Sequence, residues 1–313
     1  MKVLVIGGTK LLGKEVVINL IKNKDEVTVI SRNSSNLIEG ANYIIKEKQD
    51  GVKSLSGMEF DCVIDFIAYD SNSYQVVFDN IKFKKYIVIS STWVAKLNKN
   101  SKLNQKIENI DPILLETFND TNKRYLTGKI SLEHALEKFE NTCVIRCPIL
   151  WDKNEYTKRL DFYIERILDD KPFILVNGGK NIVQLAYVKD LAKAISKFIR
   201  IKTDDFYYEA LCENPLTLKD TILTISSGLN KEVNMVSFDE SILKNELNEY
   251  LTKEPLWREY LMDVTPNNIY KVCDVEYLKM KDWLKIVAEP KVFEHNELRE
   301  KELELVKKYY EQI

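Results

Sequence analysis

VLVIGGTKLLGKEVV, Val3–Val17, sets an unbroken apolar run against a pair of glycines, then a segment whose apolar residues return at helical spacing. A strand that is apolar throughout is buried on both faces, as strands of parallel sheets are. Gly7, Gly8 and Gly13 lie between this strand and the helix. Gly7 permits a tight turn and close approach of backbone to a pyrophosphate, and Gly13 lets the helix pack on the strand. The helix N-terminus then offers unpaired N–H groups to an anion. The stretch predicts the opening strand–turn–helix of a dinucleotide-binding domain.

The same alternation repeats along the chain. EVTVISR, YIIKE, FDCVIDFIA, KYIVISST and TCVIRCPILW read as further strands, separated by helical patterns. This predicts an α/β fold: a doubly wound parallel sheet of Rossmann type, with its ligand crevice at the carboxyl ends of the strands. After Trp151 the pattern becomes irregular, and from Glu213 it is helix-rich. The expected division is a dinucleotide-binding domain of residues 1–151 plus 184–212, and a smaller helix-rich substrate lobe of 152–183 plus 213–313.

Composition bounds the function. The 313 residues carry a formal net charge of −2, which gives no electrostatic case for nucleic acid as main partner. No apolar run is long enough to span a bilayer, and the chain enters a strand at once without a signal-like segment, so a cytoplasmic protein without a membrane partner is expected. Five scattered cysteines and two histidines make no metal site and read as buried free thiols.

At the end of the second strand, ISRNSSN holds Ser31 and Arg32 where an acidic residue would grip an adenosine ribose. Arg32 can pair with a 2′-phosphate, and Lys10 in the glycine turn adds charge. NADP(H) is therefore expected in preference to NAD(H), the latter remaining the second cofactor.

Downstream, RYLTGKISLEHAL reads as a helix with Gly128 near its start and Tyr125 and Lys129 one turn apart. A phenol ionises near pH 10, too high for proton exchange at neutrality, and a neighbouring ammonium favours phenolate. Lys129, on the same face, can also hold nicotinamide ribose hydroxyls. YIVISST supplies Ser90, Ser91 and Thr92 as hydroxyls for a substrate oxygen. Gly128 is expected to clear space for a substrate or cofactor. Asp65, in a buried strand, is expected to bond nearby backbone.

In this order GGTKLLG, YIVISST, YLTGK and VIRCPILW resemble the short-chain dehydrogenase/reductase superfamily, and most its extended, NAD-dependent epimerase/dehydratase branch. LAYVKDLAKAI and Glu133 extend the resemblance over nearly the whole chain. It implies Tyr125 as catalytic acid/base, Lys129 as its helper and Ser91 as the catalytic hydroxyl, with Thr92 the alternative. It implies cofactor contacts at Gly7, Gly8, Thr9, Lys10, Leu12, Gly13, Ser31, Arg32, Ile67, Ala68, Lys129 and Pro148, and pairs Arg146 with Pro148 on the sixth strand. Lys10 replaces the usual middle glycine. Thr92 and Trp93 stand where dehydratases of this branch carry an Asp-Glu pair, which disfavours dehydration. Val183 and Gln184 stand near YVKD where nucleotide-sugar epimerases place a diphosphate-binding arginine; Arg258 is a candidate substitute, with a place on a surface helix its expected role.

These residues together predict hydride transfer between a nicotinamide and a carbonyl or secondary alcohol of a small-molecule substrate; the resemblance implies a nucleotide sugar among the candidates and an epimerase, and the expected NADP(H) preference a net reductase. The rival reading is a non-catalytic NADP-binding redox sensor or an RNA-associated relative. A homodimer through the helix bearing Tyr125 is also expected from the resemblance.

Overall fold

The apolar run that opens the chain forms β1 (Lys2–Ile6), and the helical segment after it forms α1 (Leu11–Lys22). There follow β2 (Glu26–Ser31), β3 (Asn42–Ile45), α2 (Lys48–Lys53), β4 (Glu59–Asp65), α3 (Gln75–Asn80) and β5 (Lys82–Ser91). Next come α4 (Thr92–Lys96), α5 (Pro112–Glu116), α6 (Asp120–Leu136) and β6 (Thr142–Cys147). The computed structural model describes residues 1–97, 106, 110–153, 155–202, 204–258, 267–294 and 296–310, so His295 lies outside the described residues.

The chain divides into two compact units. Beyond β6, β7 (Ile149–Trp151) crosses the border, and α7 (Arg159–Leu168), β8 (Phe173–Val176), β9 (Ile182–Val183) and β10 (Leu185–Tyr187) belong to the second unit. The first unit resumes with α8 (Val188–Phe198) and β11 (Tyr207–Glu209).

In the first unit the sheet order is β11-β6-β5-β4-β1-β2-β3, and every neighbouring pair is parallel. This is the doubly wound arrangement that the apolar strands predict. The order reverses between β1 and β4, which places a crevice at their carboxyl ends. Val3, Leu4, Val5 and Ile6 of β1 are wholly buried, as are Val63 and Ile64 of β4 and Ile87 and Val88 of β5. Side chains of this size contribute about 1.5–3 kcal/mol each on full burial, so the central strands are the firmest part of the unit. α6 packs on the sheet through Leu132 and Leu136, next to a cluster of Phe78, Phe83, Tyr86 and Phe139.

The second unit continues with β12 (Leu216–Thr217), α9 (Leu218–Gly228), β13 (Met235–Phe238), α10 (Glu240–Glu246) and α11 (Asn248–Lys253). The 4-residue α12 (Ile269–Val272) belongs to the first unit, and α13 (Met280–Val287) and α14 (Glu297–Tyr310) to the second. β13 pairs with β8 in parallel and β12 with β9 antiparallel. Arg166 of α7 is buried, with Glu302 of α14 on its Nε at 3.0 Å, and Arg299 of α14 bonds both Asp169 and Glu302.

The placement of 267–277 differs from the sequence expectation, which put everything after 213 in the second lobe. Asn267 donates to the Tyr207 carbonyl at 3.1 Å and Asn268 to the Leu211 carbonyl at 2.8 Å, fastening this stretch to β11. Among the described residues no helix is long and apolar enough to cross a membrane. All five cysteines are free and buried.

Candidate active site

The glycine turn leaves β1 with Gly7 at φ +89°, where a Cβ would lie 2.8 Å from the Ile67 side chain. A Cβ on Gly13 would lie 2.6 Å from the Gly7 carbonyl oxygen, so only glycine lets α1 sit this close to the turn. Lys10 has an extended backbone, φ −132° and ψ 147°, which any residue adopts, and this is why the turn dispenses with its middle glycine. The left-handed step falls instead on Leu11, φ 41°. Leu12 and Gly13, in the first turn of α1, are buried. α1 has no side-chain cap and no acidic residue in its first turn, so its leading amides and its dipole face the crevice without a competing anion of the helix's own.

Thr9 Oγ1 and Ser31 Oγ are 3.1 Å apart, and Ser31 donates to the Asn33 carbonyl, so this pair ties the turn to the end of β2. Arg32 is exposed, with Nη1 3.9 Å from Glu47 Oε1. The carboxylate nearest Arg32 thus comes from the residue before α2, which the sequence reading did not single out. Both side chains are about 70% exposed, so the pair holds Arg32 only weakly.

α6 begins earlier than the sequence suggests. Asn119 caps it, accepting from the Asn122 amide at 2.9 Å, so Gly128 falls mid-helix. A Cβ on Gly128 would lie 2.5 Å from the Tyr69 carbonyl oxygen. The expected space for a substrate is therefore filled by the chain's own backbone, in the loop after β4. That loop and α6 are joined at two further points. Lys129 Nζ donates to the Ala68 carbonyl at 2.5 Å, and the Ser71 amide to Ser131 Oγ at 3.2 Å.

Lys129 is 1% exposed and also donates to the Ile89 carbonyl of β5 at 2.7 Å. Burial disfavours its charged form and brings it down to about 8. Its ammonium lies 5.8 Å from the ring centre of Tyr125 and 5.0 Å from that of Tyr69, the two rings standing 6.3 Å apart. Tyr125 is 37% exposed, so the phenol lies on the solvent side of a buried ammonium.

At the end of β5 the three hydroxyls take different parts. Ser91 Oγ accepts from the Trp93 amide at 3.2 Å and caps α4. Ser90 Oγ and Thr92 Oγ1 are buried without a hydrogen-bond partner among the described residues. Buried hydroxyls left unbonded are costly, and here they sit at the carboxyl end of a central strand. Arg146 and Glu133 are both fully buried, with Nη2 2.6 Å from Oε2, and Pro148 follows buried at the end of the strand. In the second unit Gln184 donates to the Cys212 carbonyl at 3.0 Å and accepts from its amide at 3.2 Å, so its amide group is occupied by backbone. His134 is exposed.

The model of the NAD dependent epimerase/dehydratase family matches residues 3–206. The chain belongs to that family. The chloroplast stem-loop binding protein of 41 kDa b from Arabidopsis thaliana is 27% identical over 213 residues, 62% of this chain and 53% of that protein. The chain thus spans about half the length of that curated relative. Among solved structures, UDP-N-acetylglucosamine 4-epimerase from Bacillus cereus superposes with a TM-score of 0.65 at 15% identity, covering 92% of this chain and 98% of that one. UDP-glucuronic acid 4-epimerase from the same organism, in complex with UDP-glucuronic acid and NAD, gives 0.66 at 16%, with 91% and 97% covered. dTDP-glucose 4,6-dehydratase from Bacillus anthracis, in complex with NAD, gives 0.66 at 14%, with 100% and 99% covered. At these identities the likeness is one of fold.

Proposed function

We propose that this member of the family is an NAD(P)-dependent oxidoreductase or epimerase that acts on a secondary alcohol or carbonyl, a nucleotide sugar being the first substrate class to try. The observation that carries the reading is Lys129: an ammonium driven into the protein between the Ala68 and Ile89 carbonyls, one helical turn from a solvent-side phenol. A buried ammonium with a displaced pKa beside a crevice marks a functional-site candidate.

The residues present fit a nicotinamide dinucleotide. The Gly7–Gly13 turn and the leading amides of α1 would hold its pyrophosphate, Ile67 and Ala68 would line it, Lys129 would bond its nicotinamide ribose and Pro148 would border the ring. When bound, the nicotinamide supplies hydride acceptance and return. Tyr125 exchanges the substrate's hydroxyl proton, and the Lys129 charge favours its phenolate. Thr92 Oγ1, without a hydrogen-bond partner among the described residues, would bond the substrate oxygen, while Ser91 keeps its capping role. Thr92 and Trp93 supply no carboxylate for water elimination, which favours epimerisation or reduction over dehydration. Arg32 and Lys10 favour NADP(H) through their charge, and Glu47 beside Arg32 works against it. A cytoplasmic homodimer accompanies this reading.

Nicotinamide fluorescence titrations with NADH and NADPH, then incubation with UDP-glucose, UDP-N-acetylglucosamine and UDP-glucuronic acid followed by proton NMR, test the reading. Turnover that Tyr125→Phe lowers by about 10²-fold or more, with cofactor affinity kept, supports it. Absence of binding to either cofactor by the folded protein refutes it. The resemblance to a stem-loop binding protein favours a second reading, in which the chain binds RNA. A gel shift with a stem-loop RNA at low salt checks that reading, against which the net charge of −2 counts.

A further inference from the structure

Asp65 ends β4 with no exposure to solvent, and its carboxylate is shared among three donors. Oδ1 accepts from the Ile67 amide at 3.0 Å, and Oδ2 from Lys48 Nζ at 2.6 Å and the Tyr86 hydroxyl at 2.8 Å. A carboxylate taken wholly out of water is costly unless paired and hydrogen-bonded, and this one is both. The ammonium comes from α2 and the phenol from the neighbouring strand β5, so three separate elements converge on one side chain.

What Asp65 holds is the loop behind Lys129. Its bond to the Ile67 amide fixes the turn that leaves β4. Within that turn Ile67 lies against Gly7, and the next carbonyl, that of Ala68, accepts from Lys129 at 2.5 Å. Rotating the 67–68 peptides would take away one of the two carbonyls that orient the Lys129 ammonium. Charge acts in the same sense. Lys129 is faced by Asp65 of β4, Lys48 of α2, Glu133 one turn further along α6 and Cys147 of β6, besides the rings of Tyr69 and Tyr125. Asp65 is the largest of these influences favouring the ammonium form, and it opposes the burial that lowers it.

We propose that Asp65, itself held by Lys48 and Tyr86, is a positioning residue that fixes the Ala68 carbonyl on the Lys129 ammonium and so sets the place and charge of that ammonium. The proposal rests on the reading of Lys129 as the nicotinamide-ribose ligand.

The test is NADH affinity by fluorescence titration across a pH series, with wild type, Lys129→Met, Asp65→Asn and Tyr86→Phe. Wild-type affinity should fall as pH rises through about 8, where Lys129 loses its proton, and Lys129→Met should flatten that fall. Asp65→Asn keeps an oxygen for the Ile67 amide but removes the charge. It should raise the NADH Kd at neutral pH roughly 3- to 10-fold and move the inflection down by about half a pH unit or more. Tyr86→Phe should move both in the same direction by less. A purely structural Asp65 would lower the urea midpoint and leave the inflection in place, which overturns the proposal while Lys129→Met still supports the cofactor site. An unchanged profile in Lys129→Met overturns the site reading and this proposal with it. Where circular dichroism shows Asp65→Asn unfolded, Tyr86→Phe decides alone, and an inflection that does not move counts against the proposal.

Discussion

Replacing Gly128 by alanine sets two known effects against each other. In an exposed helix interior the change stabilises by about 1 kcal/mol, because alanine loses less backbone freedom on folding. In α6 the new methyl would stand 2.5 Å from the Tyr69 carbonyl oxygen, closer than real Cβ contacts come, so the loop or the helix must shift. The loop is poorly placed to yield. Ser73 Oγ accepts from the Tyr69 amide at 3.2 Å, Ser131 Oγ accepts from the Ser71 amide, and Lys129 holds the Ala68 carbonyl. Overpacking of this kind costs about 1–3 kcal/mol. Stretching the charged Lys129 bond draws on an interaction worth about 1.5–3 kcal/mol. The clash wins, and Gly128→Ala should destabilise the protein by about 1–3 kcal/mol net, lowering the urea midpoint at unchanged slope. NADH affinity should weaken with it. A variant as stable as wild type, or more stable, would refute the close approach of α6 to this loop.

Arg32→Asp should lower the NADPH/NADH affinity ratio by about tenfold or more, since a carboxylate repels a 2′-phosphate where Arg32 attracts it; fluorescence titration with both cofactors gives the ratio, and an unchanged value removes Arg32 from cofactor choice. Glu133→Gln leaves the buried Arg146 guanidinium without its charged partner and should cost about 3–5 kcal/mol in urea unfolding; a loss under about 1 kcal/mol would mean that the pair is not a source of stability. Glu254 is wholly buried, and burial raises its carboxyl from 4.5 to about 7. The native state therefore keeps a proton that the unfolded chain releases, so this group's contribution to stability declines as pH climbs from about 4.5 to 7 and is flat above. Glu254→Gln should remove that decline, seen as the wild type losing urea stability relative to the variant over this range; parallel curves would exclude it.

The turn from β1 to α1 was open to inspection in Val3–Val17 because its determinants are local: an apolar run, then glycines at positions where a Cβ meets backbone. Tyr125 and Lys129 were legible for a similar reason, since helical spacing alone puts them on one face. What periodicity cannot carry is contact across the chain. Lys48 and Asp65 are 17 residues apart, and nothing in IKEKQD marks an ammonium bound for the end of β4. Gly128 is visible in the sequence as a weak helix former, but its neighbour is the Tyr69 carbonyl, which only the folded loop brings there. Ser91 and Thr92 are adjacent and chemically alike; their division into cap and unbonded hydroxyl depends on where α4 starts. Residues 267–277 escaped because two asparagines fasten them to β11, and polar tethers leave no hydrophobic pattern.

The sheet's last strand arrives late. β6 is complete at Cys147, yet its outer partner β11 lies at Tyr207–Glu209, and the Asn267 and Asn268 side chains that fasten the chain around β11 come later still. During synthesis, β6 would leave the ribosome with one edge unpaired while about 60 further residues are made, roughly 3–12 seconds at typical elongation rates. An apolar strand with an open edge is a template for pairing with another chain. Cells making this protein at high copy should therefore lose more of it to aggregation than its finished stability would suggest, and fewer chains made at once or a chaperone that covers nascent strands should raise the soluble yield.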